Sequence, residues 1–475
     1  MQNLSNDLQK PSNWRVNLDD TKIKLDVSLK LMKKYEWLLD AYVLDFFLDD
    51  HWSQLPENLQ LHFKDIPLEH LCELLQTEET EKLTWPRELV DLKRNLKELC
   101  ISRTPRNHTE TSLPCPLLEH PKLKHMFTKR VKPKKQHEIR RMAEICALSH
   151  RQTPVEFIVD FGAGVGHLAR ILGYGFGIQV CCFEMQDELN QQAREIDAKL
   201  ESMATKHLHE SETNHFQRPV HLTQRLESDT QQEHFLSCIR DALQLKKEDF
   251  SFGIVGLHPC GNLGPTLMRM FLGCPQAKFL NFVGCCYQKM NTEITHPRNQ
   301  VHGYPLSSFL KDTRESQLSY EAREISCHAM EVYHDRLQVG DYEHLRIHSL
   351  RAAAERIIVQ EFPHLRHCAL RNVKHSPGMT FHEYFQRAVQ GTRFEALDSR
   401  LLSNEQTDED LKNWKRIVVF YTLRLMLAPL VESIILYDRC LFLQENDCDV
   451  RIEAIFDPRL SPRNHITMAV KPQFL

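Results

Sequence analysis

No Cys-x-x-Cys pair occurs among the 15 cysteines of this 475-residue chain, so nothing announces a zinc module by spacing. Residues 1–20 are polar and hold no apolar run ahead of a small-residue cleavage site, which removes the signal-peptide reading. Reduced thiols in the cytoplasm or nucleus are the resulting expectation. Charge of one sign is also missing. With a net charge of −4 the chain has no global attraction for nucleic acid, and RNA contact requires a local basic patch. An unbroken membrane-length apolar run is absent too. Residues 417–443 come nearest, but Arg424, Glu432, Asp438 and Arg439 interrupt them and Pro429 sits in the middle. Charges are costly in hydrocarbon, so this run reads as a core helix. No internal repeat is visible.

What is present is an ordinary globular composition, 41% hydrophobic and 26% charged, in a chain too long for one core. Over 31–47, Leu31, Tyr35, Leu38, Tyr42 and Phe46 recur at helical spacing, which predicts an amphipathic helix that needs a partner. Helical pattern continues over 59–75 and 89–100, so residues 1–102 are expected to form a helical domain. Residues 103–128, rich in proline, read as a linker. The densest basic run follows: Lys129, Arg130, Lys132, Lys134 and Lys135. It suits RNA phosphate, a nuclear-import signal or a solvated approach to the helix predicted over 136–149.

The period then changes. Residues 157–159 are apolar and run into Asp160-Phe161-Gly162-Ala163-Gly164-Val165-Gly166, residues 167–172 are helical in pattern, and 179–183 are apolar again. Strand, glycine turn, helix and strand make the βαβ unit of a doubly wound sheet. Residues 252–257 and 278–283 add two strands, and 220–222 a weaker one. Residues 450–456 and 465–470 read as an antiparallel hairpin closing a seven-stranded α/β sheet. On this reading 129–290 and 407–475 form the core, and 291–406 are a mainly helical insertion after the fifth strand.

Alternate glycines after a strand let backbone approach a ligand, and the following helix offers unpaired N–H groups to a carboxylate. Gly162, Gly164 and Gly166 have that form. Asp160 can orient the turn or meet an ammonium. Glu184 lies twenty residues after Gly164, where an acid bonds both ribose hydroxyls. Together they fit an S-adenosylmethionine site. A dinucleotide GxGxxA reading through Gly164, Gly166 and Ala169 stays open on spacing, as does a purely structural turn. After the third strand, Glu227 and Asp229 are candidates for the adenine amino group.

On the acceptor side, the fourth strand ends in Gly256-Leu257-His258-Pro259-Cys260-Gly261-Asn262-Leu263 and the fifth in Val283-Gly284-Cys285-Cys286-Tyr287. Methyl transfer is an in-line displacement that depends on positioning. His258 is a candidate base, Asn262 a hydrogen-bond orienter and Tyr287 a wall or donor; packing is the alternative role for His258 and Cys260. His258, Cys260, Cys285 and Cys286 are types that suit zinc, but adjacent cysteines rarely share one ion, and no metal is expected. The Asn/Asp-Pro-Pro-aromatic pattern of exocyclic-amine methylation is missing.

The blocks 130–139, 159–170, 256–263, 283–290 and 460–464, with Phe46-Phe47, Trp52 and Leu55-Pro56, resemble the methyltransferase-like protein 25B family, also called ribosomal RNA adenine dimethylase domain-containing. The resemblance implies a class I, Rossmann-like methyltransferase fold with S-adenosylmethionine as cofactor, and the second name implies ribosomal RNA as acceptor. The His-x-Cys-Gly and Cys-Cys-Tyr blocks are also similar to a transfer-RNA ribose methyltransferase group. One position departs: the family form of the fourth-strand block has Asp where this chain has Asn262. An intracellular methyltransferase acting on RNA or protein is the expectation, with a catalytically silent binding scaffold or a small-metabolite enzyme as alternatives.

Overall fold

The computed structural model describes residues 17–76, 84–105, 116–128, 131–227, 230–293, 301–395 and 401–472. The chain divides into two compact units: residues 1–29, 101–317 and 433–475 form one, residues 30–100 and 318–432 the other.

The first unit is built on seven strands: β1 (Phe157–Phe161), β2 (Val180–Glu184), β3 (Val220–Thr223), β4 (Phe252–Cys260), β5 (Ala277–Cys285), β6 (Asp449–Ala454) and β7 (His465–Val470). Their order is β3-β2-β1-β4-β5-β7-β6. The first five are parallel, and the β6–β7 hairpin joins β5 antiparallel, Phe282 facing Thr467. Every residue of β1 and β2 is buried, which is why these strands read as continuous apolar runs rather than alternating ones. One face packs Ile139, Met142 and Cys146 of the helix Pro133–Gln152 with Leu172 and Leu200. The other packs Phe235, Ile239, Leu267, Phe271, Cys440 and Leu443. Strand order reverses between β1 and β4, so a ligand crevice belongs at the carboxyl ends of those two strands.

This is the expected α/β, class I Rossmann-like architecture, with longer strands than periodicity gave. β4 and β5 run on to Cys260 and Cys285. The helix expected over 136–149 spans Pro133–Gln152, with Pro133 in the first turn, where a missing N–H costs nothing. The segment read as a linker is partly core: Leu117, Leu123 and Phe127 are buried with the helix Pro133–Gln152.

The second unit corrects the expected domain plan. The N-terminal helices do not form a domain of their own; they share a core with residues 318–432. The turn of 3-10 helix Leu68–Leu75 packs on the helices Met330–Gln338 and Trp414–Met426. Arg424 donates to the carbonyls of Leu38 (3.0 Å) and Leu39 (2.8 Å). The single helix expected over 31–47 is also broken, ending as Glu36–Asp40 before a 3-10 turn Val43–Asp45. That turn aims Asp45 inward to Arg366 and His367, each at 2.8 Å, a demand no apolar stripe reveals. The core helix expected over 417–443 is two helices, Trp414–Met426 and Ala428–Gln444. Pro429 stands in the first turn of the second. Trp414–Gln444 is long and apolar enough to cross a membrane, but 94% of its most apolar window is buried inside the protein. The helix Glu405–Lys412 starts at Asn404, whose side-chain oxygen accepts from the Thr407 N–H.

Candidate functional site

β1 delivers the chain to three residues of left-handed backbone, Gly162, Gly164 and Gly166, with φ of +68°, +56° and +73°. Any other residue type there costs ~1–2 kcal/mol. Two of them have distinct further reasons to be glycine. A Cβ on Gly166 would stand 2.8 Å from Cε1 of His221, whereas one on Gly164 would meet nothing within 4 Å. Gly166 is thus packed from behind and Gly164 faces open space.

A buried ion network holds the turn from behind. Arg170 Nε donates to Asp197 Oδ1 at 2.7 Å, His221 Nε2 lies 2.8 Å from Asp197 Oδ2, and Arg170 Nη2 donates to the Val165 carbonyl at 2.9 Å. Arg170 and Asp197 are fully buried. From the front, Glu184 at the end of β2 accepts from the Gly164 N–H (3.0 Å) and, through its other oxygen, from the Gln186 N–H (3.1 Å). An ionised carboxylate oxygen has two lone pairs, so each still accepts one more donor.

These elements edge a crevice of about 800 Å³, whose walls include Gly162, Glu184, Met185, Glu227, Cys260 and Asn262. Met185, next in sequence to Glu184, is 59% exposed and lines the crevice, as does Val301, 40% exposed, so apolar surface is offered beside the Glu184 carboxylate. Asp160 is 2% exposed and has no hydrogen-bond partner among the described residues. Burial pushes its carboxyl up to about 7, and the charge of Glu184 adds to the rise while Lys135 opposes it.

The expected cofactor residues Asp160, Gly162, Gly164, Gly166 and Glu184 therefore converge at one strand edge. Glu227 lines the crevice and pairs with Arg225 at 2.9 Å. Asp229 lies outside the described residues, as do Lys129 and Arg130 of the basic run. Lys132 caps the helix Pro133–Gln152, Lys134 lies 3.7 Å from Glu138, and Lys135 acts on Asp160.

The expected acceptor-side residues fall in three different settings. His258, in left-handed conformation at φ +66°, places Nε2 3.0 Å from Glu138 Oε1 and is not among the described residues that line the crevice, though Cys260, two residues on, is. Glu138 also accepts from Ser461 Oγ at 2.6 Å. Burial pushes the Glu138 carboxyl up, but the bonds from His258 and Ser461 outweigh it and hold it below the ordinary value. Asn262 lines the crevice, and its Oδ1 accepts from the Asn291 N–H at 2.8 Å. Tyr287 is 1% exposed, packed under the Arg439 guanidinium, which lies 5.2 Å from its ring centre. It is not among the described residues that line the crevice.

One feature went unseen in the sequence, and a second was weighed there as a metal set and put aside. Glu138 orients His258 from 120 positions away; the only signal was its place in the 130–139 block that carries the family resemblance. The second is the convergence of three thiols. Cys260 Sγ lies 3.1 Å from Cys285 Sγ and 3.5 Å from Cys286 Sγ, with 3.6 Å between the last two. Hydrogen bonding from Cys285 lowers the Cys260 thiol to about 5 against the opposing effect of burial, and Cys285 is raised in return.

Comparison with known proteins agrees with this geometry. The chain is 29% identical to "Probable methyltransferase-like protein 25" of Mus musculus over 265 residues, 53% of this chain and 41% of the relative. It is 28% identical to the Homo sapiens protein of the same name over 231 residues, 46% and 37% of the two chains. The match thus spans about two fifths of the length of these curated relatives. Residues 134–293 match the family described as "Methyltransferase domain", and the seven-stranded sheet they belong to has the class I, Rossmann-like methyltransferase fold.

Proposed function

We propose that the chain is an S-adenosylmethionine-dependent methyltransferase. One observation carries the proposal: Asp160 is a buried carboxylate with no hydrogen bond among the described residues, at the strand end beneath the glycine turn and one strand from Glu184. A buried charge without a partner is costly, and an ammonium group on a ligand answers it. The residues fit the cofactor at its other points also. Glu184 retains acceptor capacity for two ribose hydroxyls, Gly164 leaves room for close approach, and Met185 offers apolar surface to a base. The bound cofactor supplies an electrophilic methyl group on a sulfonium.

The remaining chemistry falls to residues of the chain. A methyl acceptor needs alignment and, where protic, a base. His258 is that base in this reading. Its Nε2–H donates to Glu138, which leaves Nδ1 as the nitrogen able to take the acceptor's proton. Ser461 and Lys134 hold Glu138 in place. Lys134 belongs to the basic run and lies 3.7 Å from Glu138, so positive charge sits next to the His258–Glu138 pair, and this supports RNA as acceptor ahead of protein or a metabolite.

Titration calorimetry of the purified chain with S-adenosylmethionine tests the first step. Saturable heat that is lost in Asp160→Asn and Glu184→Ala is expected; no heat from the wild type overturns the proposal. Transfer of a labelled methyl group into RNA, protein and metabolite fractions from cells lacking the protein then identifies the acceptor, with label expected in RNA.

A further inference from the structure

We infer that Cys260, Cys285 and Cys286 form a zinc site at the edge of the crevice, with three thiolates on one face of a tetrahedron and a fourth position on the crevice side. Sulfurs bound to zinc at ~2.3 Å in a tetrahedron stand ~3.8 Å apart. The three thiols here are separated by 3.1, 3.5 and 3.6 Å, so a central ion needs only a small outward movement. Thiolates are soft ligands that favour such an ion over magnesium or calcium.

The backbone is arranged to produce this convergence. Successive residues of a strand point to opposite faces, so Cys285 and Cys286 would diverge if β5 continued. Instead Cys286 is left-handed, with φ +51°, and both sulfurs turn toward β4. On β4 the register shifts between Leu257 and Cys260, and His258 is left-handed in the same stretch. Non-glycine residues in this conformation are strained and are held only where the surroundings require it. The two loops are also locked together. A Cβ on Gly261 would stand 2.8 Å from the carbonyl oxygen of Lys289, so only glycine admits the turn that follows Cys286. A disulfide would use two of the sulfurs and place no demand on the third; all three are gathered.

Cys260 is exposed and lines the crevice, whereas Cys285 is buried. The fourth position of an ion held here therefore falls on the crevice side, the arrangement that leaves a zinc able to take a water or a donor atom from a substrate. The inference stands apart from the methyl-donor reading, because metal content is measured without cofactor.

The test loads the full chain with zinc under reducing conditions, removes loose metal by desalting, and measures zinc by plasma mass spectrometry. About one zinc per chain is expected. Cobalt in its place should give sulfur-to-cobalt charge-transfer absorption and the intense visible bands of a tetrahedral ion. Cys260→Ser is the informative variant, since the residue is exposed and the change is close to isosteric; Cys286→Ser is the second, and circular dichroism on both checks that the fold is kept. Both should lose affinity by more than the roughly 10–100-fold that an outer partner costs, while Cys368→Ser, at an exposed cysteine of the other unit, should not. Wild-type zinc below about a tenth of an equivalent, retention of full affinity by Cys260→Ser, or a Cys260–Cys285 disulfide in protein purified without reductant would overturn the inference.

Discussion

The backbone N–H of Gly164 donates to Glu184 Oε2 across 3.0 Å, so the glycine turn and the end of the neighbouring strand are one unit before any ligand arrives. The carboxylate is pre-aimed by the turn it faces. Glu184→Ala should therefore act twice, removing an acceptor for the ribose and freeing the turn. The expected loss is ~1–3 kcal/mol of cofactor binding, about 5- to 150-fold in affinity, with a lowered thermal midpoint as well, because Glu184 is buried and two backbone N–H groups lose their acceptor. Gly164→Arg places a long side chain in open space at the turn and should abolish binding while the sheet stays folded. Calorimetry and circular dichroism on the same preparations check both.

A pH dependence follows from Asp160. Burial raises its carboxyl to about 7, against an ordinary value near 4. Only the ionised form pairs with the ammonium of the cofactor, so affinity should rise with pH and level off above 7. Between pH 8 and pH 6 it should weaken about tenfold, and Asp160→Asn should bind weakly and show no such slope. The sign for stability is opposite. The folded state holds this proton more tightly than the unfolded chain, so the contribution is full below about 4 and is lost as the pH rises through about 7. Urea unfolding at pH 5 and pH 8 should thus show Asp160→Asn gaining on the wild type at the higher pH.

The Arg170–Asp197–His221 network supports the turn without touching the crevice. Removing one partner of a buried pair leaves the other uncompensated, at ~3–5 kcal/mol. Asp197→Ala should show that loss in urea unfolding, along with weakened cofactor binding, because the Val165 carbonyl and the Gly166 packing both depend on it. An Asp197→Ala protein as stable as the wild type would mean the network is not what holds the turn.

How much of this could be read from the residues depends on the range of the interaction. The strands β1, β2, β4 and β5 announced themselves because burial on both faces selects apolar residues at every position. The glycine turn was legible because its constraint is local, a backbone conformation only glycine adopts cheaply. β3, four residues long, was faint for want of length. The shared core of residues 30–100 and 318–432 was not legible: an amphipathic stripe states that a partner is needed, never which one. The thiol cluster was hidden for a different reason. Adjacent cysteines argue against a shared site unless the backbone leaves the strand conformation between them, and the left-handed φ of Cys286 leaves no mark in composition or spacing.

The His258–Glu138 pair offers the sharpest separation of chemistry from structure. If His258 removes a proton from the acceptor, His258→Ala should lower kcat by ~10²–10⁴-fold and leave the affinity for S-adenosylmethionine unchanged, because none of the proposed cofactor residues bonds to it. Added imidazole should restore part of that activity, which a packing role would not allow. Glu138 acts through His258, so Glu138→Gln should reduce kcat less, with KM and cofactor affinity near the wild type, and imidazole should not help while the native ring still occupies the place. The carboxylate also receives Ser461 Oγ at 2.6 Å, so Ser461→Ala should fall between Glu138→Gln and the wild type. An order of effects His258 > Glu138 > Ser461, with rescue confined to the first, is what a base steadied by a carboxylate requires. Equal losses in all three without rescue would reduce the arrangement to a buckle between the helix Pro133–Gln152 and the end of β4.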